Sequence, residues 1–186
     1  MATTLNLKGL TFLIADDNEN FRKIAVRILR DFGAGNILQC NEGNELMATV
    51  ERTAVDMVLC DASLPGIDGF ELTRKLRASD GQNRYLPVVI LMSHARKGMI
   101  ERARDCGASM VMTKPVSPRS FYQHLAWAAE NDRAFVEGDT YIGPDRRFKI
   151  EGFPTGVGRR ASDQIGDVGM AKGPAMSQDE IDSLFK

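Results

Sequence analysis

Five residues able to do chemistry fall at or directly after the ends of short apolar runs. Asp16 and Asp17 follow Thr11 to Ala15, Asp61 follows Asp56 to Cys60, Ser93 follows Pro87 to Met92, and Lys114 follows Met110 to Thr113, with Pro115 next. Three carboxylates gathered at one end of a sheet repel one another unless a cation sits among them. A hard divalent ion with oxygen ligands, magnesium in the first instance, meets that need. Surface acids at strand ends would explain any one of these positions; they do not readily explain all five in register. A second set is made of arginines. Gly143-Pro144-Asp145-Arg146-Arg147 and Gly158-Arg159-Arg160-Ala161-Ser162-Asp163 place two arginine pairs 13 residues apart, each near an aspartate. An arginine fork binds phosphate through parallel hydrogen bonds and stacks on flat rings, so such pairs can hold a nucleotide. A solvated, charged linker is the plainer alternative.

The first set needs a parallel sheet to assemble it. Thr11 to Ala15, Ile37 to Asn41, Asp56 to Cys60, Pro87 to Met92 and Met110 to Thr113 read as five strands, four of them so continuously apolar that both faces should be buried. Helical spacing separates them. Phe21, Ile24, Ala25, Ile28, Leu29 and Phe32 mark the first helix, with Asn18 as its cap and Gly33 as its stop. Further helices are expected over Gly43 to Arg52, Gly69 to Arg77, Lys97 to Cys106 and Ser117 to Glu137. Phe121, Leu125, Trp127 and Ala128 of the last are packing residues. The alternation predicts an α/β (βα)5 doubly wound parallel sheet, whose functional crevice lies outside the carboxyl ends of its strands. The expected organisation is a folded domain over 1–137, an arginine-rich tail over 138–166, and a linker with a terminal peptide over 167–186. From Gly138 onward, eight glycines and three prolines among 49 residues suit a linker or a segment that orders on binding. In the terminal peptide, Ser177 and Glu180 form a capping box ahead of Ile181, Leu184 and Phe185, so it can become a turn or two of amphipathic helix against a partner.

Composition narrows the function. The 24 basic and 25 acidic residues leave a net charge of -1, which disfavours nucleic acid and anionic membranes as partners. The short apolar run before Asp16 is far below a membrane span, and Cys40, Cys60 and Cys106 sit in apolar stretches as buried thiols of a reducing compartment. A cytosolic protein is expected. His94 and His124 lack a nearby metal-type partner in sequence and read as structural or surface residues.

Phe12-Leu13-Ile14-Ala15-Asp16-Asp17-Asn18, Asp61-Ala62-Ser63-Leu64-Pro65-Gly66-Ile67-Asp68-Gly69, Ser93-His94-Ala95 and Lys114-Pro115 resemble the receiver domains of response regulators, typified by CheY. The resemblance spans about residues 8 to 137. It implies magnesium held by Asp17, Asp61 and the Ser63 carbonyl with help from Asp16, and phosphoryl transfer from a phosphohistidine of a histidine kinase system onto Asp61. Ser93 and Lys114 would hold the phosphoryl oxygens, and the Lys114–Pro115 bond would be cis. Metal and ammonium together offset the charge that develops in such a transfer. One position departs from the family: Val111 stands where CheY-like switches carry an aromatic residue that reports phosphorylation.

The tail adds its own resemblance. Arg160-Ala161-Ser162-Asp163 is similar to the Arg-x-x-Asp inhibitory site by which diguanylate cyclases bind cyclic di-GMP, and a receiver with such a tail resembles the CheY-like effectors called Cle proteins. That family implies cyclic di-GMP binding by Arg146, Arg147, Arg159 and Arg160. Asp145 and Asp163 are assigned as acceptors from guanine, with Tyr141 available to pack on a base. It further implies control of the flagellar motor, hence recruitment to the flagellated cell pole, by binding and without enzymatic turnover. Met176 to Phe185 looks like the N-terminal peptide of the switch protein FliM that docks on CheY; it could occupy the chain's own receiver, another receiver, or the motor. Ordering all of Asp139 to Asp163 would cost on the order of 25 to 50 kcal/mol of backbone entropy. Four charged contacts return only about 6 to 12 kcal/mol. Short pieces must therefore order around the ligand, or packing on the receiver must supply the remainder. The alternatives are a phosphorylation-driven chemotaxis regulator working through Asp61 and an adaptor that competes for FliM-binding receivers.

Overall fold

Residues 6–130, 134–138, 140–145, 178, 179 and 182 are described by the structure, a computed structural model. Strands β1 (Thr11–Ala15), β2 (Asn36–Cys40), β3 (Met57–Asp61), β4 (Val88–Met92) and β5 (Met110–Thr113) alternate with helices α1 (Glu19–Asp31), α2 (Gly43–Arg52), α3 (Gly69–Ala78), α4 (Lys97–Asp105) and α5 (Pro118–Glu130). The ladders of this five-stranded sheet are parallel, in the order β2-β1-β3-β4-β5. The expected (βα)5 sheet is present.

The strand pleat sends alternate residues to opposite layers. Leu13, Val58, Ile90 and Val111 pack with Leu46, Leu72, Leu76 and Ile100 of α2, α3 and α4. Phe12, Leu59, Val89 and Met112 pack with Ala25, Leu29, Phe121 and Leu125 of α1 and α5. Phe121, Leu125 and Ala128 are buried as expected, and Trp127 is partly buried. β2, at one sheet edge, exposes Asn36 and Gln39, whereas β1, β3, β4 and the other edge strand β5 are buried on both faces, the four expected from their apolar runs. Asn18 caps α1 by accepting from the N–H groups of Asn20 and Phe21 at 3.0 and 3.1 Å, and Gly33 takes the left-handed backbone (φ 89°) that ends it. Cys40, Cys60 and Cys106 are buried free thiols. Burial pushes the Cys40 thiol up to about 12 and Cys106 to about 11.

The last element differs from expectation. α5 ends at Glu130, and the chain returns as an antiparallel hairpin of β6 (Phe135–Gly138) and β7 (Tyr141–Pro144), which straddles the boundary expected between 137 and 138. Tertiary contacts explain it. Phe135 packs edge-on against Tyr85 with ring centroids 4.7 Å apart, and Tyr85 donates from its hydroxyl to Glu137 at 2.9 Å. The Arg77 guanidinium lies 5.5 Å from the Phe135 ring centroid. On the other strand, a Cβ at Gly107 would meet the Ile142 carbonyl at 2.6 Å, and one at Gly143 would meet the Gly107 Cα at 2.8 Å. The two glycines let the hairpin backbone lie directly on the turn that follows α4.

Candidate functional site: an acidic cluster and two adjoining surfaces

The strand order reverses between β1 and β3, and the carboxyl ends of these two strands carry the acidic residues. One carboxylate oxygen from each of Asp16, Asp17 and Asp61 lies within 4.8 Å of the others. Asp16 is fully buried, Asp61 nearly so, and Asp17 exposed, which leaves one side of the cluster open. The Lys114 Nζ reaches in from the end of β5, contacting Asp16 Oδ2 and lying 3.0 Å from Asp61 Oδ1. The same ammonium stands 4.4 Å from the Phe21 ring centroid. Burial raises the Asp16 pKa, outweighing its hydrogen bonds from Lys114 and the Asn18 N–H. The Lys114–Pro115 bond is cis, as the family resemblance implied.

Three carboxylates and one ammonium, all ionised, carry two net negative charges. A divalent cation offsets that charge, and the oxygen donor set suits magnesium. Asp16, Asp17 and Asp61 would hold it, and it would supply charge neutralisation to a phosphoryl group arriving at Asp61. Of the other expected residues, Ser63 is exposed and donates its N–H to Asp61 Oδ2 at 3.4 Å, while Ser93 stands exposed one position past β4. Three neighbours escaped the sequence reading. Phe21 lies beneath the ammonium, and Arg22 donates to the Asp16 carbonyl at 2.5 Å. A Cβ at Gly69 would lie 2.5 Å from the Asp61 carbonyl, so glycine lets α3 begin directly against the end of β3.

Residues 12–126 match the family model described as the response regulator receiver domain. The chain belongs to that family. The chemotaxis protein CheY-3 of Vibrio cholerae serotype O1 is 29% identical over 125 residues, 67% of this chain and 95% of its own length. The solved structure of the response regulator CheY4 of Vibrio cholerae superposes with a TM-score of 0.60 at 22% identity, over 64% of this chain and 98% of that one. The receiver domain of the sensor histidine kinase PA1611 from Pseudomonas aeruginosa PAO1 gives a TM-score of 0.60 at 26% identity, covering 66% and 99%. That structure has a magnesium ion coordinated in its active-site cleft.

Two surfaces of this receiver adjoin the cluster or the hairpin. At the β5 edge, Val111 is fully buried, and its carbonyl accepts from the Gln178 side-chain amide at 3.2 Å. Gln178 Oε1 accepts from the Thr113 N–H at 2.7 Å and from the Thr113 hydroxyl at 2.6 Å. Asp182 faces His124 Nε2 at 3.0 and 3.1 Å and accepts from Gln178 at 2.8 Å. Of the three locations open to the terminal peptide, its described residues lie on the chain's own receiver. The expectation that His124 is structural missed this contact, because Asp182 lies 58 residues further on. The Ser177 and Glu180 box, with Ile181, Leu184 and Phe185, lies outside the described residues.

Beside the hairpin, a cleft of about 240 Å³ is lined by Arg74, Arg77, Asp105, Thr140, Tyr141 and Ile142. Tyr141 donates its hydroxyl to the Pro144 carbonyl at 2.6 Å, and the Asp145 N–H donates to the Ala134 carbonyl at 2.8 Å. Arg146, Arg147, Arg159, Arg160 and Asp163 lie outside the described residues.

Proposed function

We propose that this receiver is a CheY-like effector of the Cle type. It binds cyclic di-GMP through Arg146, Arg147, Arg159 and Arg160, and then docks on the flagellar motor switch protein FliM to control motility by binding alone. The observation that carries the reading is the anchored hairpin. Its second strand leads into Asp145, which is tied to Ala134, and its Tyr141 lines a cleft together with Arg74; the first arginine pair follows Asp145 directly in sequence. Phosphate and a planar base are the chemistry such groups accept. Burial of Val111 at the usual aromatic switch position supports an output driven by something besides rotation of that side chain. Calorimetric titration of cyclic di-GMP into the full chain tests the reading. Binding that weakens tenfold or more in Arg147→Ala and Arg160→Ala supports it; absence of binding, or affinity unchanged in both variants, overturns it.

The acidic cluster supports a second reading, a chemotaxis regulator phosphorylated on Asp61 by a histidine kinase system. Under that reading Asp61→Asn abolishes the swimming response, and the two arginine variants leave it intact. The opposite pattern favours the nucleotide reading.

A further inference from the structure

β5 is an edge strand, and an edge strand presents unpaired peptide groups that invite another strand. The Lys114 N–H donates inward to the Met92 carbonyl, so the peptide groups of Thr113 and Val111 point outward. Gln178 meets this edge with one primary amide, accepting from the Thr113 N–H and donating to the Val111 carbonyl. Those are the two bonds that the next strand of a sheet would make. Glutamine suits the task because its side chain carries an acceptor and a donor in peptide-like geometry; a glutamate of the same shape could not donate to Val111. Asp182, four residues on and so on the same helical face, fixes the approach by engaging both His124 of α5 and Gln178.

We propose that the C-terminal segment bearing Gln178 and Asp182 is a resident ligand of its own β5–α5 face, which a partner must displace to dock there. The partner that fits is an amphipathic helix presenting glutamine and aspartate four residues apart. A segment on the same chain competes at a high effective concentration, so the full chain excludes such a helix until the segment is released. The contact also borders the acidic cluster. Thr113, held by Gln178, is joined by one peptide bond to Lys114, whose ammonium lies against Asp61. Gln178 thus grips the residue next in sequence to the lysine that serves the cluster. This inference stands apart from nucleotide binding, and either can fail without the other.

The test uses the full chain and a fluorescent peptide of residues 175–186. Wild type should bind the peptide at least tenfold more weakly than Gln178→Glu combined with Asp182→Ala, and the Thr113 amide should exchange at least tenfold faster in that variant. Equal peptide affinity together with equal Thr113 exchange overturns the proposal. Thr113 protection that rises with protein concentration also overturns it, because the segment would then come from a second copy.

Discussion

Replacing Arg77 by methionine should cost more stability than any surface change on the receiver. Arg77 is 1% exposed although it sits in the basic last turn of α3. Its Nε donates to the Gly107 carbonyl at 2.9 Å, and one terminal nitrogen donates to the carbonyls of Arg84 and Leu86 at 2.8 Å each. The side chain thus ties α3 to the turn after α4 and to the segment entering β4, while its guanidinium faces Phe135 of the hairpin. Hydrogen bonds involving a charged group contribute about 1.5 to 3 kcal/mol each, and orphaned buried carbonyls carry a further penalty. Methionine retains the stem packing, and water can reach some of the freed carbonyls. A net loss of about 3 to 5 kcal/mol follows, a large share of the roughly 5 to 15 kcal/mol typical of a domain. Urea denaturation followed by circular dichroism measures it, and amide exchange in β6 and β7 should rise in parallel. A loss below about 1 kcal/mol, or a hairpin as protected as in wild type, would refute the role assigned to Arg77.

Gly107→Ala meets the Ile142 carbonyl and a left-handed backbone (φ 87°) at once, so it should destabilise by about 1 to 3 kcal/mol and loosen the hairpin. Gly9→Ala, with open space around its new methyl group, should change stability by less than about 0.5 kcal/mol in the same denaturation assay. For pH, folding raises the Asp16 pKa above its ordinary value of 3.8, so the native state binds the proton more tightly than the unfolded chain. Asp16 thus opposes folding when ionised, and this penalty fades as pH falls through its native pKa towards 3.8. In metal-free buffer, the stability of Asp16→Asn relative to wild type should fall as pH is lowered from 7 to 4; a pH-independent difference in paired urea titrations would contradict the assignment.

The sheet was legible because its strands are short apolar runs, and burial between two helical layers demands that composition. The cluster was legible because chemistry at a switch point must sit on the residues ending β1, β3 and β5. Arg77 was hidden by the opposite circumstance: within Arg74-Lys75-Leu76-Arg77 it looks like any basic residue of an exposed helical turn, and only acceptor carbonyls from outside its own helix make its burial tolerable. The hairpin escaped for a similar reason. Local pattern continued α5 through Glu137, whereas β6 depends on pairing with β7 and on a seat formed by Tyr85, Arg77 and Gly107. His124 read as structural because its carboxylate partner arrives from the far end of the chain.

The hairpin also decides where this protein can be cut. The family match ends at residue 126, and truncation there or at Glu137 would remove the ladder Phe135↔Pro144, Val136↔Gly143, Glu137↔Ile142 and Gly138↔Tyr141. Either fragment would uncover Arg77 and the turn at Gly107, so weakened ligand binding by it would report damage to the receiver as readily as loss of the arginines. A chain ending at Asp145 keeps both strands and the Ala134 tie. It is therefore the fragment that separates what the folded unit does from what the remaining 41 residues add.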